Sequence, residues 1–322
     1  EERGRVLGIN VAAVYGGMSV GPLLGGLLVQ GLGWRSVFWF NVPLGLITLA
    51  FTLWRVKGEW AGSPDDPFDL AGSAIYAVAV VALMIGFSSL PALKGAALIL
   101  AGVAAGAAFL WRERRASHPV LELSLFRGNR VFVLSNVAAL INYSATASIS
   151  FLLSMYLQYN KGMSPSDAGI VLIAQPIMQT IFSPLAGRLS DRVETRIVAS
   201  VGMACTAAGL VLLAFLSAAT PLAYIIGALL LLGLGFGFFS SPNTNAIMSA
   251  VERRYYGVAS GMVGTMRTFG QMLSMGIAMI LFALFIGQAE ITPEHYGRFL
   301  LSARTAFTIA AGLCGLGVAA SL

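Results

Sequence analysis

Charged residues are scarce in this chain: they make up 11% of its 322 residues, whereas 57% are hydrophobic. Soluble domains average about 25% charged residues. A water-soluble globule of this composition would expose a large apolar surface, and such surfaces favour aggregation. The scarcity of charge excludes a cytosolic enzyme, a disordered segment and a secreted disulfide scaffold. It indicates a chain that is embedded in a membrane.

Cysteine and histidine are almost absent. Cys205 and Cys314 lie in apolar stretches, and His118 and His295 lie in loops that are far apart in sequence. No CxxC or similar metal-ligand spacing occurs. These residues offer almost nothing for a metal site, a haem site or a histidine-dependent nucleophile, so we expect neither a cofactor nor enzymatic activity.

Long apolar runs, by contrast, are frequent. A bilayer core about 30 Å thick needs about 20 apolar residues in a helix. Runs of this kind predict an all-α integral membrane protein. The ten predicted transmembrane helices cover residues 7–30, 36–54, 69–89, 94–111, 131–157, 167–187, 196–217, 221–250, 257–287 and 300–322.

Lysine and arginine are distributed unequally between the predicted loops. Counted in alternation from residue 1, the loops of one side carry 14 and those of the other side carry 4. Because cytoplasmic loops are enriched in these residues, we expect the richer side to face the cytoplasm. The asymmetry also accounts for the net charge of +6, so no nucleic acid is needed as a partner.

Small residues form an unusual series in the first predicted span. Gly17, Gly21 and Gly25 recur every four residues, and such a bare helical face lets a neighbouring helix approach closely in lipid. A proline in this series has no backbone N–H, which predicts a bend. The complete pattern, G-x8-G-x3-G-P-x2-G-G, consists of Gly8, Gly17, Gly21, Pro22, Gly25 and Gly26.

This pattern resembles the antiporter motif in the fifth span of proton-coupled drug exporters of the major facilitator superfamily. Residues 34–38, 41–45, 241–245 and 257–261 are similar to stretches of its fourteen-span drug:proton antiporter branch, the EmrB/QacA type. The resemblance implies a fragment of the major facilitator fold that covers spans five to fourteen. The four missing N-terminal spans would then be partners of this chain.

Two polar loops, at 55–68 and 112–130, divide the ten spans into groups of two, two and six. The same branch inserts two helices between its six-helix halves, which agrees with this layout. The expected divisions are the last two spans of the N-terminal bundle in 1–57, two inserted linker spans in 58–115, and the six-helix C-terminal bundle in 116–322.

A second motif resembles the GxLxDRxxxR loop of the family. It consists of Gly187, Arg188, Asp191, Arg192 and Arg196. Asp191 is expected just before a helix that begins near Arg196, because helix N-termini favour anions. Two interpretations remain open: a basic cytoplasmic loop, or a charge latch that holds one conformation of a transporter and breaks in the other.

Polar residues inside spans are costly and usually face protein or a water-filled cavity. In three of the spans they recur at helical spacing, which fits either hydrogen bonds between helices or the lining of a substrate pathway. We favour the pathway for the fifth and sixth spans. The candidate lining residues are Asn136, Asn142, Tyr143, Gln175, Gln179, Arg267 and Gln271, and Ser274 continues the stripe of the last two.

Arg267 is the most informative of these residues. At 1.5 Å per residue, the 13 residues from Arg254 place it near the middle of the bilayer. A mid-membrane arginine needs a carboxylate, carbonyl groups or water. Every Asp and Glu of the chain lies in a loop or at a span end. We therefore expect Arg267 to line a central cavity or to pair across it with the missing half.

The leading hypothesis is a secondary active exporter of small amphipathic drugs that uses protons and alternating access and confers multidrug resistance. Its location would be the inner membrane of a bacterial cell, with basic loops in the cytoplasm. Proton exchange needs a buried acid with a raised pKa; because none occurs in the ten spans, that acid would lie in the missing segment or the coupling would differ. The alternatives are an exporter of a metabolite, siderophore or lipid, and a non-transporting scaffold or remnant.

Overall fold

The computed structural model describes residues 31–55, 69–116, 119–287 and 292–321, together with nine residues between 13 and 28 that are helical. Eleven α-helices are defined in the described ranges. They are α1 (Arg35–Arg55), α2 (Leu70–Ser88), α3 (Leu93–Glu113), α4 (Arg130–Thr146), α5 (Ile149–Tyr159), α6 (Pro165–Leu172), α7 (Ala174–Ser190), α8 (Thr195–Ala214), α9 (Leu222–Ser249), α10 (Tyr256–Phe285) and α11 (Tyr296–Ser321).

The all-α prediction is confirmed, since every regular element in the described ranges is an α-helix or a short 3₁₀ turn. Counting α4 with α5 and α6 with α7, nine helical segments there are long and apolar enough to cross a membrane. They coincide with nine of the ten predicted spans. The remaining prediction, 7–30, falls largely outside the described residues.

Two of the predicted spans are broken in the middle. The first breaks at residues 147–148, where the backbone N–H of Ser148 donates to the hydroxyl of Ser274 on α10 at 3.0 Å. The second breaks at Ile173, between α6 and α7. Pro176 follows three residues later, and it cannot donate to the carbonyl one turn earlier. The second break therefore has a local cause, whereas the first is stabilised by a side chain from another helix.

The helices from α4 to α11 form the main bundle, and α8 and α9 are its most closely packed pair. A Cβ atom added at Gly202 of α8 would lie 2.5 Å from the backbone nitrogen of Phe239 on α9. One added at Gly235 of α9 would lie 2.6 Å from the nitrogen of Thr206 on α8. Glycine at both positions lets the two backbones touch, as is typical of helix pairs in membranes.

Helices α2 and α3 form a hairpin that leans on α10. Within the hairpin the backbones approach at Gly86 and Gly95, where a Cβ on either glycine would lie within about 3 Å of the other's carbonyl oxygen. Against α10, the hydroxyl of Tyr76 lies 2.6 Å from that of Thr265. The ring of Phe87 fills the space above Gly276.

Helix α1 is different, because all of its residues remain partly or fully exposed. Its exposed Trp54 lies under the guanidinium of Arg55, whose carbon is 4.5 Å from the ring centroid. The exposed Trp111 near the end of α3 is covered in the same way by Arg115 at 4.2 Å. Tryptophan and arginine at helix ends are typical of the membrane–water interface.

Candidate functional site

A cavity of about 690 Å³ opens between α4, α7, α9 and α10 and reaches the helical residues near the start of the chain. Its size lies in the range of small-molecule sites, about 300–1,000 Å³. Five of the seven predicted pathway residues line it. The full lining consists of Val14, Tyr143, Thr146, Ala147, Ser150, Leu172, Ile173, Gln175, Pro176, Gln179, Phe236, Arg267, Gln271 and Met275.

Both helix breaks border this cavity, since Ala147 and Ile173 belong to its lining. Transporters commonly build substrate sites at discontinuous helices, because the break frees backbone polar groups. Here the buried Ser148 N–H is satisfied by Ser274, whose hydroxyl also lies 3.0 Å from that of Ser148. Sequence reasoning had grouped Ser274 with Arg267 and Gln271. It is buried and braces the break, whereas the other two line the cavity.

An aromatic pair forms part of the cavity wall. The rings of Tyr143 on α4 and Phe236 on α9 meet edge to face, with centroids 5.5 Å apart. Gly270 of α10 makes room for Tyr143, because a Cβ there would lie 2.6 Å from the Tyr143 Cβ. Sequence reasoning missed Phe236. The alternation of glycine and phenylalanine in GLGFGFF, residues 233–239, was the available signal.

Arg267 is the one charged residue of the described lining. It lies near the middle of α10 and is exposed to the cavity. Among the described residues no hydrogen bond or ion pair involves it. Its polar neighbours in the lining are the side-chain amides of Gln175, Gln179 and Gln271. The one charge of the described cavity wall is therefore positive, and the amide groups lie among apolar side chains.

Asn136 and Asn142, which were also predicted to line the pathway, are not among the residues that line this cavity. Asn142 is fully buried on the face of α4 that carries Ala138 and Ala145, both of which belong to the hydrophobic core. Asn136 is also buried, and its side-chain amide donates to the carbonyl of Phe132 at 2.8 Å. Their spacing matched the stripe, but helix packing turns both residues into the bundle.

The loop between α7 and α8 contains the residues of the predicted latch. Asp191 is the C-cap residue of α7, and in the described part of the chain it forms no ion pair. Glu194 occupies the N-cap of α8 and pairs with Arg196 at 2.7 Å. Arg188 and Arg192 are exposed, whereas Gly187 is buried. The glutamate was overlooked because it occupies an unspecified position of the GxLxDRxxxR motif.

The glycine series of the first span is only partly described. Gly8, Pro22 and Gly26 lie outside the described residues. Gly17, Gly21 and Gly25 are helical, and a Cβ added at any of them would meet nothing within 4 Å. The bare face is therefore open, and no described helix of this chain packs against it.

A carboxylate cluster near the ends of α2 and α3 was not predicted. Arg112 donates to Asp69 at 2.8 Å, and Asp69 also accepts the backbone N–H of Gly72 at 2.9 Å as the N-cap of α2. The hydrogen bond from Arg112, helped by that of Gly72, lowers the pKa of Asp69 below its usual value. Glu113 is only 4% exposed and accepts the N–H of Leu121. None of these residues lines the cavity.

A bundle of helices long and apolar enough to cross a membrane, arranged around a cavity, is the architecture of a multi-pass membrane protein. The sequence profile of the Major Facilitator Superfamily matches residues 1–68 and 135–322. The chain belongs to this superfamily. The solved structure of the nucleoside transporter NupG resembles it with a TM-score of 0.51 at 17% identity, over 99% of this chain and 87% of that one. That likeness supports the fold.

Curated relatives include transporters of several kinds. The riboflavin transporter RibZ of Clostridioides difficile is 28% identical over 98% of this chain and 69% of its own length. The multidrug resistance protein Stp of Mycobacterium tuberculosis is 32% identical over 91% of this chain and 55% of its own length. The chain therefore spans little more than half of Stp and about two thirds of RibZ.

Proposed function

We propose that this chain forms the substrate-binding part of a secondary active exporter, whose cargo is a small amphipathic molecule. The observation that carries the proposal is the cavity of about 690 Å³ that Tyr143, Gln175, Gln179, Arg267 and Gln271 line together. Polar and ionisable groups in the middle of a membrane mark substrate or ion pathways. Drug efflux is the favoured activity, because relatives such as Stp are multidrug resistance proteins.

The proposed mechanism is alternating access, in which two helical bundles rock around the cavity. In this proposal 116–322 is the C-terminal six-helix bundle, 58–115 contains two inserted helices, and 1–57 holds the last two spans of the N-terminal bundle. Four earlier spans of the same protein would complete a fourteen-span exporter. The open face of Gly17, Gly21 and Gly25 supports this arrangement, since it is free to receive another helix.

The proposed location is the inner membrane of a bacterial cell, with the ends that carry most of the arginines in the cytoplasm. The loop that contains Arg188, Asp191 and Arg192 would lie on that side. These three side chains are free of ion pairs in the described part of the chain, so they are available to contact another segment in one conformation of the transport cycle. The proposed latch is therefore a contact between these side chains and another segment, which forms in one conformation and breaks in the other.

Proton exchange is the proposed driving reaction, and it requires an acid outside the cavity wall described here. The described lining contains no Asp or Glu, and Glu113 lies at the end of α3, away from the cavity. The second candidate is export of a metabolite with different coupling. The absence of a lining acid and the similarity to the riboflavin transporter RibZ favour it.

The test uses cells that express the complete gene and lack their own major efflux pumps. Accumulation of a panel of fluorescent drugs is measured with and without a protonophore. Reduced accumulation that the protonophore abolishes supports proton-coupled export. Export that persists with the protonophore would favour the second candidate. Unchanged accumulation of drugs and of riboflavin would reject the exporter and leave a non-transporting scaffold.

A further inference from the structure

We infer that the cavity selects planar aromatic molecules that carry a negative charge. This inference rests on the proposed function, in which the cavity is the substrate site. It goes further because it states which chemical features of the cargo the wall recognises. Three properties of the described lining carry it: the sign of its charge, the aromatic pair and the arrangement of its amides.

The charge of the described wall is positive. Arg267 is its one ionised residue, and no described acid faces it from α4, α7, α9 or α10. Opposite charges attract much more strongly in a partly desolvated site than in water. The helix ends at the two breaks contribute little, because each break places one C-terminus beside one N-terminus and the dipoles oppose each other. The guanidinium therefore sets the electrostatic preference.

The shape of the wall favours a flat ring system. Tyr143 and Phe236 both belong to the lining, and their rings meet edge to face. Aromatic pairs of this geometry gain energy beyond the area that they bury. Met275 adds a flexible apolar contact in the same lining, and methionine sulfur interacts favourably with aromatic rings.

The amides complete the recognition. Gln175 and Gln179 lie one helical turn apart on α7, and Gln271 lies one turn from Arg267 on α10. A side-chain amide both donates and accepts hydrogen bonds. Such a set can bind the carbonyl and hydroxyl groups at the edge of an aromatic system, while the planar guanidinium binds a carboxylate or phenolate through two parallel hydrogen bonds.

The experiment compares two dyes that share the xanthene ring system and differ in charge. Fluorescein is an anion at pH 7.5, and rhodamine 123 is a cation. Binding to the purified complete transporter in detergent is measured by fluorescence anisotropy for the unaltered protein and for Arg267→Gln, Arg267→Lys and Arg298→Gln. Arg298 is an exposed arginine outside the cavity lining, so the last variant removes the same charge elsewhere.

We expect fluorescein to bind at least about tenfold more tightly than rhodamine 123, because close contacts between opposite charges in partly desolvated sites strengthen binding by at least this factor. Arg267→Gln should abolish that preference by weakening fluorescein alone. Arg267→Lys should keep part of it, because it retains the charge and loses the planar fork. Arg298→Gln should change neither dye. Thermal unfolding and size-exclusion profiles of each variant show that it is folded.

Several results would overturn the inference. Equal binding of the two dyes, or tighter binding of rhodamine 123, would mean that another segment neutralises Arg267. If Arg267→Gln weakened the binding of both dyes equally, the role of Arg267 would be structural and not electrostatic. Binding of the cation alone would refute the anion preference and leave the exporter intact. If neither dye binds and the complete gene leaves the accumulation of drugs and of riboflavin unchanged, the proposed function fails together with the inference.

Discussion

Helices α1 and α9 are both apolar enough to cross a membrane, yet they differ completely in their surroundings. In the most apolar 18-residue stretch of α9, 50% of the residues are buried inside the protein. In the corresponding stretch of α1, 0% are buried. The reason lies in the small residues. Gly235 of α9 meets the backbone of α8, but a Cβ added at Gly45 of α1 would meet nothing within 4 Å. Apolar composition places a helix in lipid, and the position of its small residues decides what packs against it.

The largest expected effect tests this difference at its closest point. Gly235→Ala places a methyl group 2.6 Å from both the backbone nitrogen and the hydroxyl of Thr206, and the backbone cannot move aside locally. Overpacking of this kind typically costs about 1–3 kcal/mol. We expect a clear fall in the thermal unfolding midpoint of the purified protein in detergent.

The matched control lies in the same helix. A Cβ at Gly227 meets nothing within 4 Å, so Gly227→Ala should leave the midpoint unchanged or raise it slightly, because alanine favours the helix by about 1 kcal/mol over glycine. Gly45→Ala in α1 should behave in the same way. If Gly235→Ala were as harmless as these two, the contrast between packed and open helices would be wrong.

Much of the fold was predictable from hydropathy. The nine described membrane-spanning segments match predicted runs, because about 20 apolar residues leave few alternatives to a membrane helix. The breaks were harder. Pro176 lies three residues after the break at Ile173 and accounts for it locally, but the break beside Ser148 depends on a hydroxyl from α10. Sequence separation hides such a contact, so a continuous helix was predicted there.

The candidate site was partly predictable for a related reason. Tyr143, Gln175, Gln179, Arg267 and Gln271 are polar groups within apolar spans, and their cost in lipid singles them out. The same argument selected Asn136 and Asn142, which packing turns into the bundle. Periodicity identifies a polar face but does not say whether water or another helix covers it. Phe236 was missed because an apolar residue in an apolar span carries no such signal.

The next prediction extends the comparison to the broken helix. Ser274→Ala removes the acceptor of the Ser148 N–H and leaves that buried donor without a partner. The expected loss is about 1–2 kcal/mol in the free energy of unfolding, measured by thermal unfolding. Ser302 is the control, because its hydroxyl is fully buried and has no hydrogen-bond partner among the described residues. An equal loss of stability in Ser302→Ala would show that burial of the hydroxyl, and not its hydrogen bond with Ser148, determines the effect.

A smaller effect is expected where the α2–α3 hairpin meets α10. The Thr265 hydroxyl donates to the carbonyl of Gly261 at 2.9 Å, so Tyr76 is the donor in its bond to Thr265. Tyr76→Phe should cost roughly 0.6 kcal/mol, the average for such bonds between membrane helices. The measurement is again thermal unfolding. A loss as large as that of Gly235→Ala would mean that the hairpin is as integral to the bundle as α8 and α9 are.

The smallest effect concerns the cap of α2 and depends on pH. Asp69→Asn keeps an N-cap side chain, because asparagine caps helices as well as aspartate, but it removes the charge that pairs with Arg112. Since the pair lowers the pKa of Asp69 below 3.8, it stabilises the folded state above pH 3.8 and its contribution is lost as the pH falls through the lowered value. The variant should unfold at a slightly lower temperature than the unaltered protein at pH 7 and pH 5, and the difference should shrink below pH 3.8. A difference that stays constant down to pH 3 would assign the effect to the cap and leave the ion pair without a role.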